Sequence, residues 1–291
     1  MRIQEVVIAD ADAGPYGIVI GPDRAAWVTL THSGRIARVA DDGGVTLVDL
    51  GAPAAQPAVI TTGPDGALWF TRTKDDRIGR LSLDGQLSEV AVPTAGAGPY
   101  GIAAGPDGAL WFTEMQSDRI GRVTVDGVVT EFDLPVDKAF AAAITAGPDG
   151  ALWCALNQAN AVGRIGTDGD MRVFDLPTPG AAPVGITSDG EALWFAEIGA
   201  GQIGRITTAG DIDEFPLADR SARPHAVAAA GPGDIWFTEW GANRVGHITG
   251  DGTVTGWDLP TPRSEPHGLT VAPDGEVWVA LEIGRLARMR P

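Results

Sequence analysis

The chain is short of several things, and each shortage excludes something. It has a single cysteine, Cys154. No intramolecular disulfide is available, so the framework is not disulfide-held and a cytoplasmic setting is expected. No stretch approaches the roughly 18 consecutive apolar residues that a membrane-spanning helix needs. Residues 1–20 carry Arg2, Glu5, Asp10 and Asp12 and lack an apolar segment, so no signal peptide is expected. Positive charge is scarce, with 21 Lys and Arg against 38 Asp and Glu for a net charge of −17. That balance disfavours nucleic acid and anionic membrane as partners, since both attract basic surfaces. Only two tyrosines and four histidines occur, so their positions carry information. What is plentiful is glycine and proline, 40 and 21 residues, which points to a fold rich in turns.

Tryptophan supplies the organising signal. It recurs at Trp27, Trp69, Trp111, Trp153, Trp194, Trp236 and Trp278, in steps of 42, 42, 42, 41, 42 and 42 residues. A period near 40 marks propellers and solenoids. In the third unit residues 99–104 read as a short apolar strand. Gly105-Pro106-Asp107-Gly108 is a turn, because proline presets one dihedral and glycine accepts a positive φ. Residues 109–113 and 119–123 read as two more strands, and Asp126-Gly127 is a tight hairpin signal. Residues 129–134 alternate polar and apolar, as an outer strand with one wet face does. Four short strands per unit and no helical period predict a seven-bladed, all-β propeller. The seventh unit ends without an outer strand, and residues 3–8 show the missing alternation. The N-terminal strand is therefore expected to close the last blade and remove two open edges. No linker or charge block interrupts residues 1–291, which read as one domain.

The repeat also isolates candidate functional residues. One slot follows the proline that opens the innermost strand, with Ala141 in the proline's place in the fourth unit. Its occupants are Tyr16, Ala58, Tyr100, Ala142, Val184, His225 and His267, whereas the residue two further on is Ile18, Ile60, Ile102, Ile144, Ile186, Val227 or Leu269. A slot that varies chemically beside a constant apolar neighbour is a candidate site. Innermost strands line a propeller's channel, so the slot rings one mouth. Blades six, seven and one are consecutive in the ring and carry His225, His267 and Tyr16. Glu265 lies two residues before His267. Glu282 ends the second strand of blade seven, where the other blades have Thr31, Thr73, Met115, Asn157, Ile198 and Trp240. Two glutamates beside a histidine suit a hard cation such as Mg²⁺, which takes oxygen ligands.

Plainer readings account for much of the rest. The repeat tryptophans are core, filling space between blades. The Gly-Pro-Asp-Gly runs are turns and not phosphate loops, since none precedes a helix. The Ile-Gly-Arg runs are strand residues with an exposed arginine. Cys154 is expected to be buried and inert, His247 to lie on the surface, and His32 to sit in a loop.

A family resemblance enters on these residues. Gly14-Pro15-Tyr16-Gly17-Ile18, Arg223-Pro224-His225-Ala226, Thr238-Glu239-Trp240-Gly241-Ala242-Asn243, Glu265-Pro266-His267-Gly268 and Glu282 resemble the virginiamycin B (streptogramin B) lyase family along the full length. The resemblance implies a Mg²⁺-dependent lyase that opens the ring ester of streptogramin B antibiotics, small cyclic depsipeptides, by elimination. It implies His267 as general base, Glu265 and Glu282 as metal ligands, and His225 as a substrate contact. Tyr16, Tyr100 and Trp240 are expected to line the same pocket, and the enzyme to act as a monomer. The small Ala58 and Ala142 depart by suggesting a wider mouth. The chemistry suits these residue types: a neutral imidazole, with an ordinary pKa of about 6.5, accepts a proton at neutral pH, and a cation steadies the developing charge. No Gly-x-Ser-x-Gly nucleophile elbow occurs. Two other classes stay open at this stage: a metal-dependent lactonase, and a non-enzymatic binding platform.

Overall fold

The computed structural model describes residues 1–290. These form 28 β-strands in seven four-stranded antiparallel sheets. Among the described residues no helix is long and apolar enough to cross a membrane. Blade three runs outward from the axis through Pro99–Ala104, Leu110–Glu114, Arg119–Val123 and Val129–Asp133, within one residue of the sequence expectation. Blades one to six use consecutive strands in this order. The seventh closes as expected: Arg2–Val7 pairs antiparallel with Arg285–Arg290, from Arg2 opposite Arg290 to Val7 opposite Arg285. Glu5 reinforces the join by accepting from the backbone N–H of Thr261 at 2.9 Å. The face on which the chain enters each innermost strand is called upper here, and the face carrying the Gly-Pro-Asp-Gly turns lower.

The core lies between blades. Trp111 is fully buried and packs with Leu152, Cys154 and Ile165 of the following blade. It also stacks on Phe132 of its own blade at 5.4 Å. Truncating such a side chain typically costs about 3–5 kcal/mol. Cys154 is buried and its thiol is pushed up to about 12 by burial, so it is inert as expected.

The lower-face turns do more than reverse the chain. Asp107 accepts from Trp111 Nε1 at 3.0 Å and from Arg122 Nε at 2.6 Å. Asp23, Asp65 and Asp149 repeat this clamp on the Trp and Arg of their own blades. These repeat arginines are thus paired, and Arg38, Arg80 and Arg122 lie over the indoles, Arg122 at 6.0 Å from the Trp111 ring, rather than simply exposed. His247 is corrected for the same reason. It replaces the clamp arginine of blade six, packs on Trp236 at 4.7 Å and meets Asp234 Oδ1 at 2.6 Å.

Candidate active site

Local backbone geometry explains why the variable slot faces the channel. In every blade the ladder between the first two strands skips from the strand's opening residue, a proline in all but blade four, to the residue three on, as from Pro266 to Leu269. The slot residue lies in that irregularity, and bulges of this kind re-aim a side chain. The next residue in blade seven is Gly268, where a Cβ would lie 2.4 Å from the Tyr16 carbonyl of blade one. Glycine there lets neighbouring innermost strands approach. Thr238 of blade six then donates to the His267 carbonyl at 2.9 Å, and Thr71 of blade two to that of Tyr100 at 2.7 Å. Thr29 and Thr113 do the same for the carbonyls of Ala58 and Ala142, so four slot residues are held by threonines of the preceding blade, a support that sequence reasoning missed. The loop carrying Glu265 is tethered by Asn243, whose Oδ1 accepts from Ser264 N at 2.7 Å. Glu265 has a φ of 51°, but Arg223, Ala182 and Gln56 before the corresponding prolines, and Phe140 before Ala141, have 50°, 51°, 50° and 48°. The left-handed conformation belongs to the repeat and is not strain particular to the site.

The slot residues meet at the upper mouth. His267 packs 4.5 Å from the Tyr16 ring and 5.0 Å from the His225 ring, centroid to centroid. Tyr16 and Tyr100 share a hydrogen bond of 2.5 Å between their hydroxyls. Ala58 sits between them in the ring, and its methyl group is too small to hold them apart. The small residue therefore does not widen the mouth on that side: the tyrosines close over it. Tyr16 Oη also lies 3.5 Å from His225 Nε2. Below this polar ring the channel holds a cavity of about 150 Å³ lined by Ile18, Val59, Ile144, Ile186, Val227 and Leu269. Trp240 flanks the group, its ring 6.4 Å from His267, and its Nε1 is buried without a partner.

The carboxylates complete the cluster. His267 Nε2 lies 2.7 Å from Glu282 Oε2. Ligand atoms of Glu265, His267 and Glu282 all fall within 4.8 Å of one another. The hydrogen bond to Glu282 places the neutral imidazole's proton on Nε2 and leaves a lone pair on Nδ1, which is buried and unpartnered. The hydrogen bond from His267 pulls the Glu282 carboxyl down to about 2 against its burial. Glu265 moves the other way, because it faces the Glu282 carboxylate. Burial, and then the neighbouring His267, push His225 down to about 3, so it is a neutral imidazole at physiological pH. Burial also holds the Tyr16 hydroxyl well above its ordinary range.

All seven residues singled out from the sequence thus gather at one mouth: Tyr16, Tyr100, His225, Trp240, Glu265, His267 and Glu282. His32 joins them unexpectedly, with its Nε2 3.3 Å from Glu282 Oε1.

A seven-bladed propeller with a histidine set between two carboxylates at its channel mouth has the form of a propeller enzyme. The sequence model of the virginiamycin B lyase family matches residues 1–289, and the chain belongs to that family. A streptogramin B lyase structure is 42% identical, covers 99% of this chain and 96% of its own, and superposes with a TM-score of 0.95. A catalytically inactive histidine-to-alanine variant of virginiamycin B lyase from Staphylococcus aureus, solved with quinupristin, is 40% identical. It covers 99% of this chain and 98% of its own, with a TM-score of 0.94. The virginiamycin B lyase of Streptomyces coelicolor is 56% identical over 50 residues, a segment spanning 17% of each chain.

Proposed function

We propose that this chain linearises streptogramin B-type cyclic depsipeptides by elimination at the ring ester, and so confers resistance to them. The observation that carries the reading is His267, hydrogen-bonded through Nε2 to Glu282 at 2.7 Å and with Nδ1 free and shielded. Family membership and an inactive histidine variant in the S. aureus relative support a histidine as the reacting group. In this reading His267 Nδ1 takes the α-proton of the threonine that closes the ring. The α-carbon pair forms an alkene with the β-carbon, and the β-carbon–oxygen bond breaks with its electrons leaving on the carboxylate. No water is consumed. Glu282 fixes the tautomer of His267 and stabilises the imidazolium that forms. His225, neutral, and Tyr16, Tyr100 and Trp240 bind and orient the ring. Every residue of the centre comes from one ring of blades, so the acting unit is one chain.

The donor set fits Mg²⁺. Glu265 and Glu282 converge, and the Glu265 carboxyl is raised first by its hydrogen bond to Glu282, then by burial and by repulsion from that carboxylate, a crowding that a hard, oxygen-seeking cation relieves. When bound, the ion supplies Lewis-acid stabilisation of the charge that develops on the substrate. The test is incubation of the purified protein with quinupristin and Mg²⁺ in ¹⁸O-labelled water, followed by mass spectrometry. The expected product has the mass of the ring, a conjugated alkene and no label, and excess chelator abolishes its formation. A product one water heavier and labelled would establish hydrolysis instead.

A further inference from the structure

The contact between His32 and Glu282 crosses the seam where the two ends of the chain close the ring. His32 lies in the turn after Ala26–Leu30 of blade one, and Glu282 follows Val277–Leu281 of blade seven. The turn is stapled to the loop entering blade one: Thr31 N donates to the Gly14 carbonyl at 2.8 Å and His32 N to that of Ala13 at 3.1 Å. Gly14 has a φ of 68°, and a Cβ there would lie 2.6 Å from His32 Nδ1. The imidazole therefore rests against bare backbone, and its Nε2 reaches Glu282 Oε1 at 3.3 Å. The other oxygen, Oε2, is taken by His267 at 2.7 Å. Each oxygen of one carboxylate thus faces a histidine of a different blade. The His32 side chain is 44% exposed, and so exposed a polar contact contributes little to stability. The other blades put Lys74, Gln116, Gln158, Gly199, Gly241 and Ile283 in its place, so the repeat does not require a histidine there.

We infer that His32 is a positioning residue that holds the Glu282 carboxylate from across the blade-seven/blade-one seam in the orientation that binds a divalent cation. The inference rests on the proposed role of Glu282 as a metal ligand. A partner that orients a ligating carboxylate typically changes metal affinity by about 10–100-fold when removed. The effect should fall on affinity for the ion and spare the chemistry once the site is saturated.

The experiment measures Mn²⁺ binding to the full chain without substrate, by calorimetry or by paramagnetic resonance. In parallel it measures kcat and the half-activating Mg²⁺ concentration with a streptogramin B. The variants are His32→Ala, His32→Phe, His32→Gln and Glu282→Gln. His32→Ala and His32→Phe are expected to weaken Mn²⁺ binding and raise the half-activating Mg²⁺ concentration about tenfold, with kcat at saturating Mg²⁺ and the melting temperature unchanged. His32→Gln keeps an N–H that reaches Oε1 and is expected to return to within about threefold of the parent. Parent-like Mn²⁺ affinity in His32→Ala, or equal losses in His32→Ala and His32→Gln, would overturn the inference. If Glu282→Gln binds Mn²⁺ as the parent does, the metal-ligand reading fails and the inference falls with it. If Glu282→Gln loses binding while His32→Ala keeps it, only the inference falls.

Discussion

The lower and upper faces of the ring are cut from one repeat and handle their polar groups in opposite ways. On the lower face each carboxylate of the Asp–Trp–Arg clamp is satisfied. Burial works against Asp107, but hydrogen bonds from Trp111 and Arg122 outweigh it and hold its carboxyl below the ordinary range, as their counterparts do for Asp23, Asp65 and Asp149. On the upper face polar atoms are buried and left over. His225 Nδ1, His267 Nδ1, Trp240 Nε1, Glu114 Oε1 and Glu197 Oε1 are shielded without a partner, against Arg205 Nε on the lower face. Burial raises the carboxyls of Glu114 and Glu197 to about 7. An unpaired buried polar atom costs about 1–3 kcal/mol, and it is also what a ligand can satisfy. With His267 as the proposed base, the contrast places stability on the lower face and the proposed binding and chemistry on the upper.

The largest expected effect breaks the upper face alone. His267→Ala is expected to lower kcat by about 10²–10⁴-fold, the usual contribution of a positioned base. It removes no interaction that closes a blade, since Thr238 grips the backbone carbonyl and not the ring. The melting temperature should therefore stay at the parental value. Steady-state kinetics and a thermal melt on the same preparation check both halves, and substantial remaining turnover would remove His267 from the proton transfer.

The reciprocal break is Asp107→Ala. It strips an acceptor from fully buried Trp111 and from Arg122, two hydrogen bonds to a charged group. The loss is expected to be about 2–3 kcal/mol of stability, read by denaturant unfolding. Per folded molecule, kcat should not move, because the clamp lies at the opposite end of the blade from the slot. A large fall in kcat with stability retained would dissolve the division between the faces.

What could be read from the sequence divides along the same line. The tryptophan spacing revealed the blade count, because a core position must recur wherever the packing recurs, and the alternation of residues 3–8 supplied the strand that the seventh unit lacks. The slot was legible for the converse reason: Tyr16, Tyr100, His225 and His267 vary where Ile18 and its counterparts do not. His32 was illegible because its place in the repeat keeps no residue type against which a histidine would stand out, and only the placement of blade one beside blade seven brings it to Glu282. The clamp aspartates were read as turn residues alone. Their partners lie 4 and 15 residues away and meet them only when the turn folds back over the indole. His247 was misread for the same reason, since its partner Asp234 lies across a strand pair.

The smallest expected effect sharpens the comparison through pH. Glu197 is fully buried, accepts from Gln202 Nε2 at 2.5 Å, and leaves its second oxygen empty. Burial raises its carboxyl from 4.5 to about 7. A carboxyl whose folded pKa is raised stabilises the folded state in its protonated form. That contribution is complete below about pH 4.5 and is lost as the pH rises through 7. The lower-face aspartates have the opposite sign and a separate window. Their folded pKa values lie below the ordinary 3.8, so their contribution is present above that value and is lost only as the pH falls through the lowered one. His225, lowered to about 3, destabilises the fold as the pH falls from its ordinary 6.5, so the parent's net slope mixes terms of both signs. The difference between parent and Glu197→Gln cancels His225 and isolates the glutamate. The amide keeps an oxygen for Gln202 and carries no charge at any pH. The variant is therefore expected to be more stable than the parent at pH 8, on the order of 1–2 kcal/mol, and to lose that advantage progressively towards pH 5. Unfolding free energies of both proteins at pH 8, 6.5 and 5 decide it. A difference independent of pH would mean that Glu197 is not protonated on folding, and that the upper-face carboxylates are as well served as those of the lower face.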